Sequence, residues 1–502
     1  MYMNLEQARK ELISLQERMS AYNHAMSLLS YDGETTAPRG TAQNRGHSMG
    51  ILSEIMYKLS TGKETVELLE YLDENKDALD AREKRMVYLL LKDIRFMQKI
   101  PMDEYVAYQK FVVDCQEAWY KAKQASDFAA YQPFLEKMLD YTVRFARYAA
   151  PDKDPYDYWL NEYEPGLSKA TLDAFFAKLR ERLVPLIQKC AARPQVSDAC
   201  IKGDFAEDKQ EELAYWLMDV IGLDRDHVGL STTEHPFTTS LGSHLDERIT
   251  THYYAEDVSY SMFSVIHEGG HALYDTGSDE DLAYTVLDGG VSMGIHESQS
   301  RFYENILGRS KGFAKFAFPK LRQLFPEEMK PYTWQDFYKA INRVQPSLIR
   351  TEADEVTYSL HVMIRFELEK RLFAGELKVA DLPKEWNRMY KEYLGIDVPD
   401  DKHGVLQDSH WSFGAFGYFP SYALGSAYGA QFLAKMKETV DVDAALDQGD
   451  FSAINAWNRE HIWRFGSSLT PAEILENTFG APFDPAYYLD YLEAKCKDVY
   501  GL

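Results

Sequence analysis

Val265-Ile-His-Glu-Gly-Gly-His-Ala-Leu-Tyr274 is the stretch from which the rest of the chain can be read. His267, Glu268 and His271 fill an H-E-x-x-H pattern, and residues four apart on a helix return to nearly the same face. Two imidazoles can therefore meet one cation while Glu268 points beside it. Neutral imidazoles suit Zn²⁺, which binds them at about 2.0–2.1 Å, and an adjacent carboxylate can take a proton from the water activated there. The helical context is legible too. Asp257 is the expected cap, Val258, Met262, Val265, Ile266 and Leu273 form an apolar stripe, and Gly277 follows as a stop. Gly269 and Gly270 each cost about 1 kcal/mol in a helix interior, so another backbone is expected to pass close to this turn. With 13 histidines in 502 residues, the accidental expectation for the pattern is roughly 0.03. The bland alternative is a pair of ordinary surface or core histidines.

Composition sets the frame. A length of 502 residues would permit about three domains, but 45% apolar and 14% aromatic residues are spread without a break, as in one globular body. Lys+Arg 55 against Asp+Glu 79 gives a net charge of −24, which opposes binding to phosphate backbones and anionic lipid. Neither nucleic acid nor membrane is an expected partner. Cys115, Cys190, Cys200 and Cys496 are dispersed, with no C-x-x-C pair, and read as buried free thiols. The stretch from Met1 to Lys10 has no apolar leader, and no run of about 18 apolar residues occurs. A soluble, reducing, cytoplasmic location is expected.

Taken in order, Leu5 to about Arg147 is helix after helix, as Leu5, Ala8, Leu12, Leu15 and Met19 illustrate. Ser30–Gly40 reads as a loop, either reaching into a cleft or simply connecting. Pro151–Gly166 is a candidate hinge between two lobes, after which Ser168 caps a helix through Leu172, Phe176, Leu179 and Leu183. Ser231–Tyr254 carries the clearest β signal, a small hairpin or ribbon feeding the His-Glu helix. Seven of the 13 histidines lie between His227 and His296, which puts the chemistry in the third quarter of the chain. Helices resume from Phe302, interrupted by a Gly/aromatic loop at His403–Tyr428. The expected organisation is a single mainly α domain over 1–502, with a helical lobe over about 1–165 and a metal and substrate region over about 230–425.

Catalytic zinc takes three protein ligands and keeps one position open. The expected helix Ser292–Leu307 offers Glu297, 26 residues after His271, a spacing that lets one helix cross another at the metal. Neighbouring helical residues diverge by about 100°, so His296 and Glu297 would not ligate together. Glu297 otherwise reads as part of an exposed helix face, with His296 and Glu304 the next candidates.

Several motifs then stand in sequence: His235-Pro-Phe237, Asp246-Glu-Arg-Ile-Thr250, His267-Glu-Gly-Gly-His271, His296-Glu-Ser298, Ile349-Arg-Thr-Glu-Ala-Asp354 and Gly404-Val-Leu-Gln-Asp-Ser-His-Trp411. In this order they resemble the M32 metallocarboxypeptidases, the carboxypeptidase Taq family. The resemblance implies a mainly α, multi-helix, two-lobed subunit with a deep groove and a small β ribbon, similar to neurolysin and angiotensin-converting enzyme. It also implies a homodimer, removal of single residues from peptide C-termini, one zinc ion per chain held by His267, His271 and Glu297, and Glu268 as general base.

Further roles follow from the chemistry. An oxyanion needs donors, and His410, Tyr418 and Tyr422 in the Gly/aromatic loop fit, with aromatic packing as the alternative for the tyrosines. A free α-carboxylate suits a guanidinium, which can make two parallel charge-assisted bonds. Arg350, expected on a helix starting shortly after Pro346, is the candidate, with Tyr422 assisting and Arg248 next in line. Its structural alternative is an ion pair with Glu352, Asp354 or a neighbouring helix. The ribbon around His235 could pair with an extended peptide, while Asp246 and Arg248 could form an ion pair that fixes it. Two other functions compete: a zinc oligopeptidase cutting internally, and a catalytically silent peptide-binding scaffold. Blockage by an amidated C-terminus separates the first from a carboxypeptidase, and the presence of Glu268 argues against the second.

Overall fold

Residues 4–502 are described by a computed structural model; Met1–Met3, the start of the stretch read as lacking a leader, lie outside the described residues. Helices dominate, as the 3.6-residue periodicity requires. Leu5–Thr35, Ala42–Thr61, Lys63–Glu74 and Ala81–Lys99 gather around Leu12, Leu15, Leu68, Leu69, Val87 and Leu91, an apolar core of their own that also receives Leu282 and Leu287. Met102–Ala125 and Phe128–Ala149 instead join the main core. The helical stretch expected over about 1–165 is thus divided near residue 100.

Two connectors differ from expectation. Ser30–Gly40 is no loop up to Thr35: the first helix runs through Gly33, and only residues 36–38 separate it from a short 3₁₀ turn at Arg39–Thr41. The expected hinge holds a helix, Pro155–Tyr163, started by Asp154, whose carboxylate accepts from the amides of Tyr156 and Asp157. Tyr156 is fully buried and donates to Glu369 Oε2 at 2.8 Å, so this segment is packed into the core and is not a pivot. Ser168 caps Lys169–Ala191 as expected, an interaction worth about 1 kcal/mol.

The β region is a three-stranded sheet: β1 (Val228–Thr232), β2 (Thr238–Ser240) and β3 (Glu247–Thr251), in the order β1-β3-β2. β2 and β3 make the expected hairpin, with Thr238 opposite Ile249, while β1 adds a parallel neighbour to β3.

The core helix Val258–Thr276 is capped by Asp257, whose carboxylate accepts from the Ser259 amide. Its glycines explain its neighbours. A Cβ on Gly270 would lie 2.8 Å from Gln299 O and Ser300 Cα, which is the close backbone crossing expected; Gly269 instead faces the tip of Ile221. The crossing helix, Met293–Arg301, is capped by Ser292 and continues as a π-helix through Phe302–Leu307. On its far side runs Pro420–Met436, where Gly425 lets Glu297 approach. The expected Gly/aromatic loop therefore ends at Phe419, and Tyr422 and Tyr428 are helical. All four cysteines are buried and free. No helix among the described residues is long and apolar enough to cross a membrane.

Candidate metal centre

Residues four apart on Val258–Thr276 place the rings of His267 and His271 with centroids 5.0 Å apart, and the crossing helix brings Glu297 to them. One donor atom from each of the three lies within 4.8 Å of the other two, and His271 Nε2 stands 3.7 Å from Glu297 Oε2. Each donor's remaining polar atom is engaged elsewhere. His267 Nδ1 lies 2.9 Å from Glu304 Oε2, His271 Nδ1 lies 2.6 Å from His296 Nδ1, and Glu297 Oε1 accepts from Arg301 Nε at 2.7 Å. Two Nε2 atoms and one carboxylate oxygen are left pointing at a common centre. This donor set fits zinc, which favours nitrogen and oxygen ligands with one position kept for substrate. His296 and Glu304, the reserve ligands, stand one shell outward as partners of the imidazoles.

The electrostatics follow from burial and charge. Burial opposes charge on His271, and His296, His267 and Arg301 add to that, holding its pKa well below the ordinary value. At Glu304 burial acts upward, but the bond to His267 and the cations Arg301 and Arg309 outweigh it and keep the carboxylate ionised. Arg301 lies over the Tyr358 ring, 4.1 Å from its centroid; its partial burial opposes charge, but Tyr358, Glu297 and Glu304 outweigh that and raise its pKa. Glu268 is pushed up by burial against the opposing pull of His267 and of Thr238 on β2. Thr238 Oγ1 lies 2.6 Å from Glu268 Oε2 and 3.0 Å from the Glu268 carbonyl, so its single proton serves the closer, charged oxygen.

His267, Glu268, Glu297, Arg350 and Tyr422 line one cleft of about 990 Å³. Arg350 is not on the helix expected after Pro346. It lies in a one-turn 3₁₀ segment, Arg350–Glu352, ahead of Glu355–Phe373. Its ion-pair partner is neither Glu352 nor Asp354: Nε and Nη2 donate to Asp408 Oδ1 at 3.1 and 2.9 Å, and Nη1 donates to Tyr358 Oη at 2.9 Å. Asp408 Oδ2 accepts from Arg365 Nε at 2.7 Å, and burial notwithstanding, these two cations hold its carboxyl well below the usual range.

Tyr422 lies under the Arg350 guanidinium, 4.8 Å from ring centroid to Cζ, and its Oη is 3.3 Å from His410 Nε2. Burial lowers His410 to about 4, so the ring is neutral at physiological pH. Tyr418 packs edge-on against Tyr422 and does not line the cleft wall. His235 is exposed on the β1–β2 connection, where the neighbouring Pro236 reaches the cleft. Arg248 is paired with Asp246 at 2.7 Å and lies over Tyr31, so it is not brought to the centre.

Four neighbours of the site escaped the sequence reading. Arg301 stands four residues after Glu297, so helical spacing alone would have exposed it. Asp408 lies inside the quoted Gly404–Trp411 motif, but its pairing with Arg350 and Arg365 crosses 58 and 43 residues. Thr238 and Arg309 carried no local signal.

The chain matches the family model for the carboxypeptidase Taq (M32) metallopeptidase over residues 11–496. Carboxypeptidase 1 of Bacillus subtilis (strain 168) is 40% identical over 502 residues, covering 100% of both chains. Thermostable carboxypeptidase 1 of Pyrococcus furiosus is 35% identical, over 97% of this chain and 98% of its own. The crystal structure of the M32 carboxypeptidase from Deinococcus radiodurans R1 superposes with a TM-score of 0.95 at 35% identity, covering 99% of this chain and 100% of that one.

Proposed function

This chain belongs to the carboxypeptidase Taq (M32) metallopeptidase family and is a metallocarboxypeptidase acting on peptides, and from that premise we propose that its metal is zinc, held by His267, His271 and Glu297, with Glu268 as general base. The observation that carries this reading is the convergence of three donor atoms within 4.8 Å in a cleft whose wall also presents Glu268 and Arg350. Zinc held there would polarise the scissile carbonyl and bring the pKa of a water towards about 7. Glu268 keeps Oε2 on Thr238, so Oε1 takes the proton from the attacking water and hands it to the leaving amine. Its burial raises the affinity for that proton, as a group needs when it must hold one between two events.

A guanidinium has five N–H donors, and Arg350 has three engaged by Asp408 and Tyr358. The two that remain, on a guanidinium stacked over the Tyr422 ring, recognise the α-carboxylate of the substrate, with the Tyr422 hydroxyl assisting. Asp408 shared between Arg350 and Arg365 leaves this buried group one net positive charge, and it fixes the plane of the guanidinium. Tyr422, backed by neutral His410, also supplies a proton donor for oxygen that gains charge during hydrolysis. The same reading carries a single 1–502 domain, a homodimer and a cytoplasmic location, which light scattering and cell fractionation test.

Metal analysis of Glu297→Ala is the decisive experiment. Loss of both zinc and hydrolysis is expected, together with failure of the parent to cleave peptides whose C-terminus is amidated. Full zinc content and activity in Glu297→Ala would move the third ligand elsewhere, and rapid cleavage of amidated peptides would make the enzyme an internal cutter.

A further inference from the structure

On its Nδ1 side, His271 does not meet a carboxylate directly, as His267 does, but through a second imidazole. Its Nδ1 lies 2.6 Å from His296 Nδ1, and His296 Nε2 lies 3.1 Å from Asp275 Oδ1. The two contacts admit one proton arrangement that leaves a lone pair on His271 Nε2 for a cation. A lone pair on His271 Nε2, needed to ligate a cation shared with Glu297, puts the His271 proton on Nδ1. His296 Nδ1 must then accept, which puts the His296 proton on Nε2, where Asp275 accepts it. We propose that Asp275 and His296 act as a positioning pair that fixes the Nδ1–H tautomer of His271 and so holds its Nε2 open for the metal; this rests on His271 being a ligand.

The packing around the pair favours a fixed arrangement. Asp275 follows His271 by four residues, so one helix supplies both ends of the chain and the crossing helix supplies the middle. Asp275 is 6% exposed, and its Oδ1 also accepts from the Gly290 amide at 3.2 Å. The His296 ring sits against Tyr274, with centroids 5.1 Å apart, and a Cβ on Gly290 would come within 2.4 Å of His296 Cδ2. Tyr274 is itself held, accepting from the Val291 amide at 3.2 Å. Gly290 on one side and Tyr274 on the other flank the His296 ring, and a flip about Cβ–Cγ would set carbon against both His271 Nδ1 and Asp275, losing both contacts. The carboxylate at the end of the chain draws the protons outward and makes His271 Nε2 a better donor, as outer partners of ligating histidines do.

Two measurements test this. In the zinc-loaded parent, ¹⁵N spectra of labelled histidine should show the proton on Nδ1 of His271 and on Nε2 of His296; a proton on His296 Nδ1 overturns the proposal without any substitution. Competition with a chelator should show zinc bound about 10- to 100-fold more weakly by Asp275→Ala and by His296→Phe. Asp275→Asn, which keeps an acceptor oxygen for His296, should recover most of that loss, whereas a purely structural defect would not be rescued in metal affinity. Parent-like zinc affinity in both Asp275→Ala and His296→Phe overturns the relay. His271→Ala separates the layers: if it too binds zinc as the parent does, the ligand assignment fails and the relay falls with it; if it loses zinc, the ligand stands and the other variants judge the relay alone.

Discussion

Glu268 has one oxygen on Thr238 and one clear, so Glu268→Gln keeps an acceptor for Thr238 while removing the group that takes a proton from water. The variant should retain zinc and its thermal midpoint, and kcat should fall by at least about 10²-fold; near-normal turnover would exclude Glu268 as the base. Arg350→Ala should lower kcat/KM for free-acid peptides by about 2–5 kcal/mol, at least about thirtyfold, with zinc content unchanged. Arg350→Lys should recover part, since it restores charge without the fork. Parent-like cleavage by Arg350→Ala would remove Arg350 from carboxylate recognition. At this scale the sequence was informative where chemistry follows local spacing. His267 and His271 could be paired because four residues make about one helical turn, and Glu297 because a crossing helix needed to supply a third donor. The partners that orient these groups were hidden for the opposite reason. Glu304 was seen only as a rival ligand, and Asp408 reaches Arg350 through the fold and not along a helix.

Between elements, glycine decides how closely the helices carrying the donors can approach. The helix Met293–Arg301 is gripped on two sides: a Cβ on Gly270 would meet Gln299 O and Ser300 Cα at 2.8 Å, and one on Gly425 would meet Glu297 Cβ at 2.8 Å. Backbone cannot swing aside as a side-chain tip can. Gly270→Ala should therefore destabilise by about 1–3 kcal/mol and weaken zinc binding, because it pushes Glu297 away from the two imidazoles. Gly269→Ala meets the flexible end of Ile221 and regains about 1 kcal/mol of helix propensity, so its effect should be smaller. Equal losses of thermal midpoint and zinc affinity in the two variants would contradict this account. Gly269 and Gly270 announced a crossing in the sequence because helices rarely tolerate such a pair without a packing reason. Other elements were less legible. Gly33 suggested a turn, but the first helix packs along Ala42–Thr61 and carries on to Thr35, tertiary contact outweighing local propensity. The parallel pairing of β1 with β3 left no local trace, since alternation within a strand is blind to the strand it will join.

Across the whole molecule, a net charge of −24 coexists with carboxyl groups buried in the main core, and their pKa shifts act on stability in opposite directions. Asp408, held down by Arg365 and Arg350 against its burial, contributes stability that is present above its ordinary value of 3.8 and is lost as pH falls below it. Glu369 behaves in reverse. Burial pushes it up to about 7 although Trp411, the Gly417 amide and Tyr156 all donate to it. A folded-state carboxyl with a raised pKa binds its proton more tightly than the unfolded chain does, so its contribution is fully present below 4.5 and is lost as pH rises towards about 7. That span corresponds to about 3 kcal/mol. The two windows do not overlap, so a single substitution can separate them. Glu369→Gln cannot accept all three donors, because its amide NH₂ must face at least one of them, and it should lose about 1–3 kcal/mol at acid pH. Between pH 4.5 and 7, however, its unfolding free energy should decline less than that of the parent, until near pH 7 the two are close. Denaturant unfolding of both proteins across this range measures the difference, in which metal binding and every other titrating group common to both cancel. Curves that stay parallel from pH 4.5 to 7 would mean that the three donors, and not burial, set the charge on Glu369.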